Sequence, residues 1–384
     1  GIAIVDVDGE RVERHGLTDP APVLARNGLS VPDGRTFSDA VYEACLTDDQ
    51  ATAVNELERL RDEGAAVVVE ADRGRGKSSA AGLAAGALAL AGRDVLVAAP
   101  TYRNAAEVLA RARERLAGAD ALVSVDDPET PHDLRATDGR IRFRRAADCA
   151  DGDGLPGDPD AVIVDEAAAL PVHVLESFLD APAVAFTTTV HGYEGAGRGF
   201  SVRFRDRLDE SHHEVTEVRM AEPIRYAAGD PVEVWAFRAL LLDARPPVDP
   251  LVDDAQPEAV AYEAIDAAGL LADEHLLREV FGLLVLAHYR TEPDDLARLL
   301  DAPNVAVRAL VQDSHVVSVA LLAREGGLDA GTRADMYDGG RIRGNMLPDV
   351  LTTQLRDESA GVPVGFRVLR IATHHAARSR GLGS

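Results

Sequence analysis

Lysine is almost missing from this sequence: Lys77 stands alone among 40 basic residues, and every other cation is arginine. Cysteine is nearly as scarce. Cys45 and Cys149 cannot build a disulfide framework, and neither has a neighbour at metal-ligand spacing. A reducing compartment fits that usage and predicts a cytoplasmic protein. Long apolar runs are missing too. The Ala/Leu-rich stretch 80–91 is too short to span a bilayer and carries Gly82 and Gly86. No signal peptide opens the chain, which starts without methionine inside an apparent strand, so the N-terminus reads as a cut.

What is abundant is acid. The formal charge of −25 and the isoelectric point near 4.8 ordinarily argue against a nucleic-acid partner. Abundant Asp and Glu with almost no Lys also fits a surface adapted to molar salt. Under that reading the net charge says little about partners, and local arginine clusters become the informative feature.

The lone lysine sits in Ala71-Asp-Arg-Gly-Arg-Gly-Lys-Ser78, between the apolar run Val67–Val69 and an Ala/Leu-rich helical pattern. Strand, glycine-rich loop, Lys-Ser and helix in that order form a phosphate cradle. Backbone N–H groups from Gly74 to Ser79 would face the anion, helped by the helix N-terminus. A compact ammonium on a flexible stem reaches phosphates as a point charge, which a planar guanidinium does less readily. Ser78 is placed to hold Mg²⁺. Ala71 stands where the full pattern has glycine.

The pattern predicts an α/β chain with several parts. Residues 1–40 read as the remnant of an N-terminal domain, with a hairpin-like opening at Val5–Val12. Residues 41–245 alternate strands and helices, the mark of a parallel sheet covered on both faces. Within them, Thr47 or Asp48 caps a helix to about Arg61, strands fall at Ala66–Glu70, Asp94–Ala99, Ala161–Val164 and Ala183–Thr188, and Asn104–Leu116 is an amphipathic helix. Residues 118–160 read as a loop insertion with one Arg-heavy strand-like piece, Arg140–Arg145. Residues 246–272 read as a Pro/Asp-rich linker. Residues 273–384 form a smaller unit: helices Asp273–His288, Pro293–Asp301 and Leu347–Asp357, strands near Val305–Gln312, His315–Arg324 and Gly365–Thr373, and a loop at Gly326–Arg343.

Asp165-Glu166, at the end of the Ala161–Val164 strand, supplies the second half of an NTPase site. Asp165 would orient Mg²⁺, and Glu166 would polarise the attacking water. The segment Thr187–Phe200, with four glycines, lies past a strand end and is a candidate for coupling nucleotide state to movement. Arg225 is a candidate arginine finger in cis. Near the C-terminus, a strand precedes Arg378-Ser-Arg-Gly381-Leu-Gly383, a second phosphate cradle suited to the pyrophosphate of coenzyme A. The arginine-rich strips 140–145 and 203–207 are candidate RNA contacts.

These pieces together resemble the tRNA/rRNA cytidine N4-acetyltransferase family. The carrying stretches are Arg73-Gly-Arg-Gly-Lys-Ser78, Asp165-Glu-Ala-Ala-Ala-Leu-Pro171, Thr188–Phe200 with its His191-Gly-Tyr-Glu-Gly195, Glu222-Pro-Ile-Arg-Tyr226, Leu286-Ala-His-Tyr-Arg-Thr291 and Arg370-Ile-Ala-Thr-His374. The resemblance runs from about Leu46 to Ser384. It implies a RecA-like P-loop ATPase fused to a C-terminally truncated GNAT acetyltransferase domain, using ATP, Mg²⁺ and acetyl-CoA on tRNA, with rRNA as the alternative substrate. The implied ATP site is Gln50, Gly74, Arg75, Gly76, Lys77, Ser78, Ser79, Ala80, Ala81, Gly82, Leu83 and Arg225. Acetyl-CoA would lie on the backbone of Ile371, Ala372 and Thr373, with its pyrophosphate on Arg378, Ser379, Arg380, Gly381, Leu382, Gly383 and Ser384. His288, Tyr289 and His374 are candidates for taking the proton in acetyl transfer. His375 stands where the family commonly has proline. Two other readings stay open: an RNA-dependent ATPase whose GNAT-like unit only binds, and a non-enzymatic RNA or ribosome-assembly scaffold.

Overall fold

The computed structural model describes residues 29–150, 154–189, 204–287 and 293–383, together with the backbone of 4–6 and 11–14. The chain divides into two compact units, Gly1–Phe237 and Arg238–Ser384.

In the first unit, β1 (Ile4–Asp6) and β2 (Arg11–Arg14) form the small antiparallel hairpin. A short helix α1 (Asp39–Tyr42) leads to α2 (Asp48–Leu57), whose N-cap is Thr47: its side chain accepts a hydrogen bond from the Gln50 N–H. The helical path continues to Arg61 as a 3-10 turn. The main sheet has eight strands. In chain order they are β3 (Ala65–Ala71), β4 (Asp94–Ala99), β5 (Leu122–Val125), β6 (Asp133–Ala136), β7 (Arg140–Arg145), β8 (Ala161–Val164), β9 (Val184–Thr189) and β10 (Glu214–Met220). Across the sheet the order is β10-β3-β9-β8-β4-β7-β6-β5. The first six are mutually parallel, and β6 and β5 close one side in antiparallel fashion.

Alternate residues of β3 feed the two faces. Val67 and Val69 join α2, α3 (Lys77–Leu90) and α4 (Tyr102–Gly118) on one side. Ala66 and Val68 join the other, with Phe178, Phe186 and Phe204 and the short helices α5 (Ala146–Ala150), α6 (Val172–Glu176) and α7 (Arg205–Asp209). Each fully buried Val, Leu or Phe contributes about 1.5–3 kcal/mol of transfer free energy. Strands buried on both faces need no polar alternation, which is why β3 reads as an apolar run.

Helices α3 and α4 touch more closely than large side chains allow. A Cβ on Gly82 would lie 2.4 Å from the Val108 carbonyl oxygen, and one on Gly86 would lie 2.9 Å from the Arg115 Cβ. The two glycines therefore set the depth at which the P-loop helix seats.

Residues 118–160, expected as a loop insertion with one strand-like piece at 140–145, carry β5 and β6 as well as the strand β7. Ile141 and Phe143 are buried, so β7 belongs to the sheet. Arg142 is buried as well and is held by Asp94 at 2.9 Å, while Arg140 is bonded to Asp133. The strip 140–145 is thus a structural strand that leaves only Arg144 and Arg145 exposed. In the strip 203–207, Arg203 lies outside the described residues. Arg205 is ion-paired to Glu70 and Glu217, and Arg207 to Glu176 and Glu210.

The helix α8 (Pro231–Ala239) runs across the boundary between the units. The second unit is a four-stranded antiparallel sheet, β11 (Ala261–Ile265), β12 (Val305–Gln312), β13 (His315–Gly326) and β14 (Val364–Thr373), paired in that order. Helices α9 (Ala267–Ala272), α10 (Glu274–Ala287), α11 (Pro293–Asp301), α12 (Ala330–Tyr337) and α13 (Met346–Leu355) accompany it. The stretch 246–272 is therefore not a plain linker: β11 pairs with β12, and Asp266 caps α9 by accepting from the Gly269 N–H. The expected loop 326–343 contains α12, capped by Asp329. Short polar-rich segments with good capping residues escape periodicity analysis, because little of their surface is apolar.

Candidate nucleotide and acetyl-CoA sites

The P-loop site lies at the C-terminal ends of β3, β8 and β9. Ala71 is the last residue of β3, paired with Met220 and Thr189, in a conformation open to any residue, so the glycine of the full pattern is dispensable there. The turn itself uses two left-handed glycines, Gly74 (φ 76°) and Gly76 (φ 89°). Gly76 is the N-cap of α3 and offers no side-chain acceptor. The first helical turn thus keeps its N–H groups for an anion, whereas the Ala80 N–H already bonds the Gly76 carbonyl at 2.9 Å.

Lys77 opens α3, is 7% exposed, and its Nζ lies 2.8 Å from Glu166 Oε1. Asp165 is fully buried. Its Oδ1 accepts from the Thr187 hydroxyl and from the Glu166 N–H, while its Oδ2 is buried without a partner among the described residues. The Ser78 side chain lies near the same carboxylate. Burial raises the Asp165 carboxyl above the ordinary range; the Glu166 charge adds to this, while the Thr187 bond, Lys77 and Ser78 oppose it. Glu166 itself holds a left-handed backbone (φ 53°), and its Oε2 accepts from the Thr189 hydroxyl at 3.3 Å. A non-glycine residue in that region is strained, and such strain concentrates at functional sites.

A buried carboxylate oxygen without a donor, next to a serine hydroxyl, suits a hard divalent cation, which binds through oxygen. Ser78 and Asp165 therefore fit Mg²⁺. Thr187 and Thr189 were not singled out by sequence reasoning, although the Thr-Thr-Thr run at a strand end was a usable signal. Side-chain contacts across strands β8 and β9 do not show in the order of residues along the chain.

The other expected nucleotide residues divide. Gln50 is fully buried under the loop: its Oε1 accepts from the Leu46 N–H at 2.7 Å, and its Nε2 donates to the Gly76 carbonyl at 3.3 Å. Arg75 is buried, donating to Glu233 at 2.5 Å, to the Tyr226 hydroxyl at 3.1 Å and to the Arg73 carbonyl at 3.4 Å. The Ser79 hydroxyl accepts from Arg111 of α4. Ala80, Ala81, Gly82 and Leu83 correct the sequence expectation: they occupy the buried turn of α3, where their side-chain positions pack on the core and on α4. Arg225 is exposed, one residue from Ile224, whose N–H bonds the Gly74 carbonyl at 3.1 Å. That bond lays the Glu222–Tyr226 loop on the P-loop. Residues 190–203 lie outside the described residues.

In the second unit, β14 is an edge strand of the described sheet, with a bulge at Leu369 opposite the Leu321/Leu322 step. Ile371 is exposed, Ala372 is buried, and Ser318 bonds both the Ala372 carbonyl and the Thr373 hydroxyl. After β14 the chain turns under a cavity of about 280 Å³ lined by Ile371, Thr373, Arg378, Ser379, Gly381 and Gly383, among others. Ser379 (φ 61°) and Gly381 (φ 79°) are left-handed, and a Cβ on Gly383 would come within 2.8 Å of Thr373 Oγ1. Arg378 is exposed at the mouth. The Leu382 side chain is buried in a cluster with Val252, Ala255 and Val317, and the Arg380 side chain donates to the Ala255 carbonyl at 3.0 Å, so both anchor the turn. Ser384, His288 and Tyr289 lie outside the described residues.

His374 is corrected. It is fully buried, its Nδ1 accepts from the Ala376 N–H at 3.3 Å, and its Nε2 is 2.9 Å from the Pro247 carbonyl. Both ring nitrogens are committed to backbone, so it positions the chain rather than receiving a substrate proton. His375, in place of the family's proline, reaches Asp249 at 3.0 Å and leaves the β14 backbone unaltered.

Comparison with known sequences meets this geometry. The family described as "RNA cytidine acetyltransferase NAT10/TcmA, helicase domain" matches residues 68–243, and "GNAT acetyltransferase 2" matches 279–384. The chain belongs to the RNA cytidine acetyltransferase family. Its relatives include proteins named tRNA(Met) cytidine acetyltransferase TmcA from Haloarcula marismortui, 66% identical, and Haloferax volcanii, 64% identical. One from Thermococcus kodakarensis is 36% identical. Each match covers 100% of this chain but 49%, 51% and 48% of the relative, so the chain spans about half their length. Among solved structures, the large terminase ATPase domain of a Thermus phage is 20% identical, with a TM-score of 0.35 over 53% of this chain and 90% of that chain. That score is too low to carry an argument. The family membership accords with the α/β fold, a P-loop module followed by a GNAT module.

Proposed function

We propose that the protein carrying this chain forms N4-acetylcytidine in tRNA from acetyl-CoA, with ATP hydrolysis by the first unit driving rearrangement of the RNA. The observation that carries the reading is the presence, in family order, of both cradles: Lys77 with Asp165 and Glu166 in one unit, and β14 with the Arg378–Gly383 turn in the other.

In the ATPase, the first-turn N–H groups of α3 and Lys77 bind phosphate oxygens. The 2.8 Å ion pair to Glu166 keeps the lysine in place until a phosphate competes for it. Glu166, once released, orients and polarises the attacking water, and Thr189 fixes its second oxygen. Ser78 and Asp165 would hold Mg²⁺, whose charge neutralises the phosphate oxygens. Arg225, one residue from the Ile224 N–H that bonds the Gly74 carbonyl, would act as the cis finger.

In acetyl transfer, the cytidine N4 lone pair attacks the thioester carbonyl carbon. A C–N bond forms, the C–S bond breaks, the thiol of coenzyme A leaves, and N4 loses a proton. N4 is conjugated with the ring and weakly nucleophilic, so positioning supplies much of the rate. The Ile371–Thr373 backbone aligns the pantetheine arm, and the turn at 378–383 takes the pyrophosphate. With His374 committed, His288 and Tyr289 remain the candidates for the proton. A base stacked in a helix cannot reach the thioester, which gives ATP-driven rearrangement a purpose.

The motor half is tested by Mg²⁺-dependent ATP hydrolysis with and without tRNA. Loss of hydrolysis in Glu166→Gln with nucleotide binding retained is the expected result; hydrolysis at the wild-type rate in that variant would refute the assignment.

A further inference from the structure

We propose that His275, Glu279 and His315 form a binding site for a divalent transition cation of the zinc class, in the second unit and apart from both cradles. His275 and Glu279 are four residues apart on α10, which puts them on one helix face. His315 opens β13, directly after the turn residues Asp313 and Ser314, whose backbones are left-handed (φ 48° and 68°). The three ligating atoms lie within 4.8 Å of one another. His275 Nε2 is 3.1 Å and His315 Nδ1 2.8 Å from the same oxygen, Glu279 Oε1.

Zinc binds imidazole nitrogen and carboxylate oxygen at about 2.0–2.2 Å, so neighbouring ligand atoms around a tetrahedral ion sit about 3.3 Å apart. The two histidine–carboxylate separations need to open by only about 0.2–0.5 Å to match that spacing. The remaining carboxylate oxygen, Oε2, accepts from the Val316 N–H at 2.8 Å, an outer-shell bond that fixes the carboxylate's aim. Glu279 is 4% exposed, and its described partners are these two histidines and that amide, with no lysine or arginine among them. A buried carboxylate in such company calls for positive charge from elsewhere, which a bound dication provides. Two nitrogens and one oxygen select a borderline cation over Mg²⁺ or Ca²⁺. His275, 58% exposed, leaves the site open to entry of the ion and to a water as fourth ligand. The bound ion joins α10 to the start of β13.

The test adds Zn²⁺ or Co²⁺ alone to the chain, in excess Mg²⁺ to occupy oxygen-rich sites. Expected are retention of one equivalent after desalting, a visible ligand-field band with Co²⁺, and an upward shift of the thermal midpoint. His275→Gln, at an exposed position that leaves the fold undisturbed, and His315→Gln should each weaken binding about 100-fold. His375→Gln, in the neighbouring Asp249/His374/His375 group, should leave binding unchanged. The proposal is overturned if the wild-type chain retains no ion, if binding survives His275→Gln, or if His375→Gln abolishes it.

Discussion

Asp165→Asn separates what the fold prefers from what the chemistry needs. The wild-type carboxylate is fully buried, and one of its oxygens has no donor. A buried unsatisfied polar group costs about 1–3 kcal/mol, and more when charged. The amide is neutral and keeps an oxygen for Thr187 and the Glu166 N–H. At neutral pH the variant should be more stable by about 2 kcal/mol, or roughly 4–8 °C in Tm for a unit of this size. The sign follows from linkage. The folded-state carboxyl is raised, so the folded protein holds its proton more tightly than the unfolded chain. The wild-type penalty is full above the folded-state value and fades as pH falls toward the unfolded value of about 3.9. The stability gap between variant and wild type should therefore shrink on acidification. Urea melts across a pH series measure it, alongside ATP hydrolysis, which the variant should lose. A variant less stable than wild type at pH 7, or a gap independent of pH, would refute the reasoning.

Three further outcomes follow from the geometry. Lys77→Ala should cut ATP hydrolysis by about 100-fold or more while acetyl-CoA binding, followed by calorimetry, stays at the wild-type level; loss of both would contradict two separate cradles. Gly82→Ala drives a Cβ to 2.4 Å from the Val108 carbonyl, and should destabilise the first unit by about 1–3 kcal/mol in a urea melt. Unchanged stability would mean that α3 and α4 are not in contact there. Cys45 and Cys149 are buried, and burial pushes their thiols up to about 12 and about 11. Both should resist a thiol reagent at pH 8 and react fully in denaturant; rapid reaction of the native chain would contradict their placement.

The sequence was most legible where apolar periodicity and a backbone-driven motif coincide. The strand–loop–Lys-Ser–helix order placed Lys77 at the start of α3, and the Val-Ile-Val run placed Asp165 and Glu166 at the end of β8. It was least legible where a polar surface hides regular structure. β7 alternates arginine with Ile141 and Phe143, and its arginines are balanced by Asp94 and Asp133, partners that only the fold brings near. β11 is largely exposed and gained through pairing with β12. The site shows the same division. Backbone cradles are written in glycine and survive Ala71, but the threonine donors, the Arg75–Glu233 ion pair and the structural role of His374 arise from residues distant in sequence.

The proposed activity moves an acetyl group onto RNA cytidine at the expense of ATP. The most direct measurement incubates the full-length protein with tRNA, ATP, Mg²⁺ and isotopically labelled acetyl-CoA in high salt, then analyses the digested nucleosides by mass spectrometry. Labelled N4-acetylcytidine that requires ATP and disappears with Lys77→Ala is the predicted result. RNA-stimulated ATP hydrolysis with no labelled N4-acetylcytidine would contradict it.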